Sequence, residues 1–219
     1  MDPTDSPLTL DIVSDVICPW CFIGKRRLEK ALAMLGPGHA ITVRWRPFEL
    51  NPAMPKGGIE RRAYRSAKFG SWERSQALDR HVEMAGAPDG IVFRHDLMER
   101  TPNSFDAHRL MWLAGKQGAQ DKLAEILFRS YFLEGKDVGD HAILSDAAAK
   151  AGMDAGAVTT FLAGTEGAEE VSRELAAARR MDVTGVPTFV LNGQPLASGA
   201  QPPEILAGML RRALGLPPE

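Results

Sequence analysis

Cysteine is scarce in this chain, with two in 219 residues. One bridge cannot staple a fold of this size, and a core this large needs no staples, so a disulfide-rich scaffold is excluded. An excess of one charge is also missing. With 26 Lys and Arg against 28 Asp and Glu, nothing signals a polyanionic partner, whether nucleic acid or an acidic membrane. No apolar run approaches the roughly 18 residues of a spanning helix, and the early run 8–17 is broken by Asp11 and Asp15. Residues 1–7 are acidic and proline-rich. They lack the positive start and apolar stretch of a secretory signal, so a cytoplasmic location is expected. No fixed-period repeat is visible, which excludes a solenoid. What is present, 44% hydrophobic and 25% charged residues, is ordinary for a globular protein of one large or two small domains.

Leu8, Leu10 and Ile12 alternate with polar residues, which predicts a strand. A helical pattern runs from Pro19, with Gly24, Leu28, Ala31, Leu32 and Leu35 on one face, and Gly36-Pro37-Gly38 stops it. Ile41, Val43 and Trp45 then alternate as a second strand, and Pro47 fits an edge position. This is a βαβ unit. From 57 to about 164 the chain is rich in Ala, Leu, Met, Arg and Glu. Its spacing predicts helices near 59–69, 72–86, 104–117, 120–133, 143–151 and 154–163, with a loop and a short extended piece over 86–94. The end returns to mixed structure. A helix covers 166–181, a strand Thr188-Phe189-Val190-Leu191, a type I′ turn Asn192-Gly193, a return strand 196–198, and a last helix begins at Pro202-Pro203. Pro195 again fits an edge. The expected organisation is α/β: two outer parts, 8–56 and 165–215, forming one small domain around an inserted all-helical block, 57–164.

Both cysteines fall in one motif, Cys18-Pro19-Trp20-Cys21. A zinc site would need two more ligands. There is no second cysteine pair and no close pair among His39, His81, His95, His108 and His141, so no metal is expected. The motif follows a strand and opens a helix. Pro19 stands at the first helical turn, where its missing N–H costs nothing. Cys18 falls near the N-cap, where unpaired backbone N–H groups and the positive end of the helix dipole favour negative charge on its sulfur. Cys18 is therefore read as an exposed nucleophile and Cys21, one turn deeper, as the thiol that resolves the mixed disulfide. Trp20 has two readings, a ring facing substrate or a packing residue shielding the disulfide. Asp15 is read as a turn cap. Glu49 and Asp11 could pass a proton to Cys21 if buried beside it, against solvated or capping roles. Arg61, Arg62, Arg65 and Lys68 are read as a solvated helix face.

A Cys-x-x-Cys at a strand–helix junction, followed much later by Gly185-Val186-Pro187-Thr188 before a hairpin, resembles the thioredoxin superfamily. The resemblance implies that Pro187 is cis and faces the cysteine pair, and that the Val186 backbone pairs with an extended substrate. The helical insertion resembles that of DsbA-family proteins. The runs Ser14-Asp15-Val16-Ile17-Cys18-Pro19-Trp20-Cys21-Phe22-Ile23-Gly24, Arg46-Pro47-Phe48-Glu49-Leu50-Asn51-Pro52 and Asn103-Ser104-Phe105-Asp106-Ala107-His108-Arg109-Leu110 are similar to the FrnE-like branch. This implies a thioredoxin fold with an inserted helical domain and a thiol–disulfide oxidoreductase. Its substrate would be a disulfide- or thiol-bearing protein or small molecule. Its only cofactor would be the cysteine pair, with glutathione as a candidate co-substrate, and both monomer and homodimer stay open. The branch is related to 2-hydroxychromene-2-carboxylate isomerases and kappa-class glutathione transferases, so a glutathione-dependent isomerase or transferase is the alternative. Those relatives use a serine-type residue where this chain has Cys18. Ser198-Gly199 corresponds to where they hold the γ-glutamyl end of glutathione, against an ordinary capping turn. Asn103 and His108 lie on the helix expected to overhang the site, as substrate contacts or, for His108, a buried hydrogen-bonded residue.

Overall fold

The computed structural model describes residues 8–36 and 41–217. The expectations for residues 1–7, for Pro37 and Gly38, and for the last two residues lie outside this range. Strand β1 (Leu8–Ser14) leads through a short turn into helix α1 (Pro19–Met34), and β2 (Ile41–Pro47) returns parallel to β1. Near the other end, helix α8 (Ala168–Arg180) precedes the hairpin β5 (Thr188–Leu191) and β6 (Gln194–Ser198), and α9 (Pro203–Ala213) follows. The sheet order is β2-β1-β5-β6, with β5 antiparallel to β1 and to β6. This is a thioredoxin fold. Both proline-bearing strands lie at the edges, where the missing N–H breaks no ladder. Asn192 (φ 48°) and Gly193 (φ 80°) supply the two positive φ angles of a type I′ turn.

Between β2 and α8 lies the helical insertion: α2 (Arg61–Phe69), α3 (Trp72–Gly86), α4 (Phe105–Lys116), α5 (Gln120–Phe132), α6 (His141–Ala151) and α7 (Ala155–Ala163). Caps fix the boundaries. Asp140 and Asp154 accept backbone N–H groups at the starts of α6 and α7. At α2 the cap corrects the expected start. Glu60 accepts from the N–H groups of Arg62 and Ala63, so the helix begins at Arg61. Ile59–Glu60 forms strand β3, paired with β4 (Arg100–Thr101). The extended piece expected within 86–94 is instead a 3₁₀ turn over Ala87–Asp89 followed by irregular chain.

Insertion and sheet share one core. Phe22, the residue after Cys21, stacks on Phe128 at 5.3 Å between ring centroids and on Phe132 at 6.1 Å, with Phe93 edge-on at 6.2 Å. At the edge of β2, the Gln120 amide accepts from Trp45 N–H (2.9 Å) and donates to Trp45 C=O (3.0 Å). One side chain thus satisfies the backbone groups that an edge strand would otherwise expose. Buried Arg109 donates to the carbonyls of Phe161, Gly164 and Glu166, tying α4 to the chain that returns towards the sheet.

Candidate active site

Cys18 is the N-cap of α1, with φ −93° and ψ 115°, and Pro19 occupies the first turn. The Cys18 N–H donates to Asp15 C=O (3.0 Å), and Cys18 C=O accepts from Cys21 N–H (3.0 Å). Both cysteines are free thiols. The Cys18 thiol points across to the hairpin half of the fold, where Val186 C=O is its acceptor at 3.6 Å.

The Val186–Pro187 peptide bond is cis. Three contacts hold this loop. Gly199 N–H donates to Pro187 C=O at 2.7 Å. Thr188 Oγ1 donates to Gly185 C=O at 2.8 Å. Gly24 lies under the proline ring, so close that a Cβ there would stand 2.8 Å from Pro187 Cγ. Helix α1 therefore carries the cysteines at its tip and the seat of Pro187 one turn on.

The thiols differ in setting. Cys18 is 4% exposed and Cys21 1%. The expected exposed nucleophile is thus a covered thiol on a cleft wall, with Val186 C=O against it and Ile17 and Trp20 lining the same cleft. Cys21 faces the interior. Burial pushes its thiol well above the ordinary range, the neighbouring Cys18 pushes the same way, and the Ser14 hydroxyl and Asp15 backbone oppose this.

Cys18 opens into a cleft of about 440 Å³. Pro19, Trp20, Gly185 and Val186 line it on the thioredoxin side, and α2 and α3 line it on the insertion side. Trp20 is half-buried on the cleft wall and lies tilted against His81, with centroids 5.6 Å apart.

The basic cluster is corrected. Arg61 is buried and Arg65 half-buried, and both line the cleft; Lys68 also lines it but stays exposed, as does Arg62, which lies against Trp72. Arg61 Nη2 and Arg65 Nη2 each donate to one oxygen of Asp79, at 2.8 and 2.7 Å. Lys68 Nζ donates to Asn51 Oδ1 (2.8 Å) and Tyr64 Oη (2.9 Å). Sequence reasoning missed these residues as cleft groups. Positions 61, 65 and 68 follow the spacing of an inward-facing helix stripe, a signal masked by their charge.

Other expected residues are used elsewhere. His108 is buried behind the motif, its Nε2 2.9 Å from Phe48 C=O and 3.5 Å from Asp15. Asn103 donates to Met54 C=O and accepts from Phe105 N–H, fixing the start of α4. Neither lines the cleft. Ser198 and Gly199 shape the Pro187 loop and the turn to α9; Ser198 C=O accepts from the Gln201 amide. Asp11 is bonded to Arg44 and Arg46, so it is spent on ion pairing across β1 and β2. Asp15 is a turn cap, accepting from Ile17 and Leu50 N–H groups. Glu49 is half-buried, and burial raises its pKa while His108 opposes the shift.

The family described as DSBA-like thioredoxin domain matches residues 9–211. Among solved structures, the chain is similar to a probable DsbA oxidoreductase from Streptomyces coelicolor, with 35% identity, TM-score 0.86, and coverage of 95% of this chain and 90% of that one. It shares its fold with a 2-hydroxychromene-2-carboxylate isomerase (19% identity, TM-score 0.68, 94% of each chain). It also shares its fold with the cytosolic disulfide reductase DsbM from Pseudomonas aeruginosa (18% identity, TM-score 0.67, 94% of this chain and 98% of that one). DsbM has also been solved with GSH. No helix among the described residues is long and apolar enough to cross a membrane.

Proposed function

Because the chain belongs to the DSBA-like thioredoxin domain family, we propose that it is a thiol–disulfide oxidoreductase working through Cys18 and Cys21. The observation that carries this reading is the pair of free thiols at the start of α1, one of them on a cleft wall against the Val186–Pro187 loop.

In the reducing direction, the Cys18 thiolate bonds to one sulfur of a substrate disulfide. The substrate S–S bond breaks, and the departing thiolate takes up a proton. Cys21 then loses its proton and bonds to Cys18 Sγ, and the second substrate thiol leaves. The substrate gains two electrons and the pair becomes a disulfide. The reverse sequence oxidises a dithiol. Cys21 is held protonated by burial until the mixed disulfide forms, which suits a resolving role. Pro187 walls the thiols, and the Val186 backbone, with Pro19 and Trp20, offers a rim for an extended substrate.

A cytoplasmic setting is part of this reading, supported by the likeness to DsbM. A cytosolic poise of about −220 to −320 mV would hold the pair reduced at rest, so reduction or isomerisation would be its resting activity, with a small thiol such as glutathione restoring the dithiol.

Cys18→Ser should abolish insulin reduction. Cys21→Ala should accumulate a covalent adduct between Cys18 and substrate, visible by intact mass and lost on adding dithiothreitol. Retention of activity in Cys18→Ser would sink the assignment. Turnover of a glutathione conjugate that survives Cys21→Ala would favour the glutathione-dependent isomerase or transferase alternative.

A further inference from the structure

The charge in the cleft beside Cys18 does not balance. Three cations line it, Arg61, Arg65 and Lys68, while Asp79 is the one carboxylate among its described lining residues. Asp79 is already shared between two guanidiniums, one on each oxygen. The partners of Lys68 are an amide and a phenol, both neutral. Even with Cys18 ionised, the cations outnumber the anions.

These charges stand against apolar walls. Leu78, Val82, Met98 and Phe132 line the same space, and the Arg65 guanidinium lies 4.9 Å from the centroid of the Phe69 ring. Fewer waters reach such a surface, so an unpaired positive charge there is felt further than one on an open face. Arg65 is itself less readily protonated than usual, through burial and the nearby Arg61. Holding α2 against α3 accounts for Arg61 and Asp79. Arg65 is part of the same tie, donating to the Ser75 hydroxyl (2.6 Å) and carbonyl as well as to Asp79, so the cation left without a structural carboxylate is Lys68, which lines the cleft bonded only to Asn51 and Tyr64.

We propose that this cleft selects disulfide substrates bearing a carboxylate, which Lys68 receives, in the net positive surround of Arg61 and Arg65, while Cys18 attacks the sulfur. The proposal rests on the oxidoreductase reading above and adds to it the charge of the substrate. The chemistry is unchanged: Cys18 bonds to one substrate sulfur, the S–S bond breaks, and the released thiolate is protonated. The cations act on binding and encounter, not on the electrons. Asn51 Oδ1 accepts from both Lys68 and Tyr64, which ties the ammonium to the cleft wall.

The test uses the full reduced chain and three aliphatic disulfides of similar size: 3,3′-dithiodipropionate (two carboxylates), bis(2-hydroxyethyl) disulfide (neutral) and cystamine (two ammoniums). Each rate is divided by that of a small neutral thiol with the same disulfide at the same pH. At low salt the normalised rate for dithiodipropionate should exceed that for cystamine by about tenfold or more. The ratio should fall as sodium chloride is added. Lys68→Gln should move the ratio towards one, and Lys68→Arg should preserve it. Equal normalised rates for the three, or a preference for cystamine, would overturn the charge selection while leaving the thiol chemistry in place. No reaction with any of them would overturn the oxidoreductase reading and this proposal together.

Discussion

Behind the cysteine pair, buried polar side chains bond to backbone. Asp15 caps two N–H groups and His108 reaches Phe48 C=O. Each removes the cost of an unpaired group in a space that water does not readily reach. His108→Ala should therefore lower stability by about 1–3 kcal/mol, the cost of a buried acceptor left without its donor, read as a drop in the urea midpoint. Since His108 lies outside the cleft, the rate with the neutral disulfide should stay at the wild-type level. A lost rate at unchanged stability would reverse that assignment. The helix-start positions of Cys18 and Cys21 are legible in the sequence because they depend on local geometry, while the cis bond at Pro187 follows from the family resemblance. The buried, hydrogen-bonded reading of His108 holds, but the partners of Asn103 are not legible, since spacing along one helix does not say which neighbour its polar groups will meet.

At the scale of the element, α1 is the part that aligns the site, and Gly24 is what lets it approach the Pro187 loop. A methyl group there would overlap the proline ring. Gly24→Ala should force the loop outward at a cost of about 1–3 kcal/mol. It should also slow resolution of the mixed disulfide, measured by quenched-flow trapping. A variant with wild-type stability and rate would show that the loop gives way freely. The two strand–helix halves were readable because alternation and helical stripes are both long there. The strands β3 and β4, two residues each, are too short to leave a periodic trace. Helix α2 departs from its expectation for another reason. Its charges read as solvated when the helix is taken alone, and only α3, through Asp79, makes the inward orientation favourable.

Across the molecule, the burial of Cys21 links the thiol to stability. A pKa raised on folding means that the native chain holds the proton more tightly than the unfolded one. The stabilisation is complete below the unfolded value, 9.0 here, and is lost as pH climbs through the raised native value. The reduced protein should therefore lose thermal stability more steeply above pH 9 than Cys21→Ala does, by differential scanning fluorimetry from pH 7.5 to 10.5. Tyr131, whose phenol burial also raises, contributes in the same direction to both proteins, so their difference isolates the thiol. Parallel curves would show that Cys21 titrates as it does in the unfolded chain. The stacking of Phe22 on Phe128 and Phe132 also bears on engineering. Stitching 8–56 directly to 165–215, to make a minimal redox tag, would strip both partner rings from the residue adjoining Cys21. Such a miniature would expose a greasy patch beside its own reactive sulfur, and would be expected to clump before it could turn over.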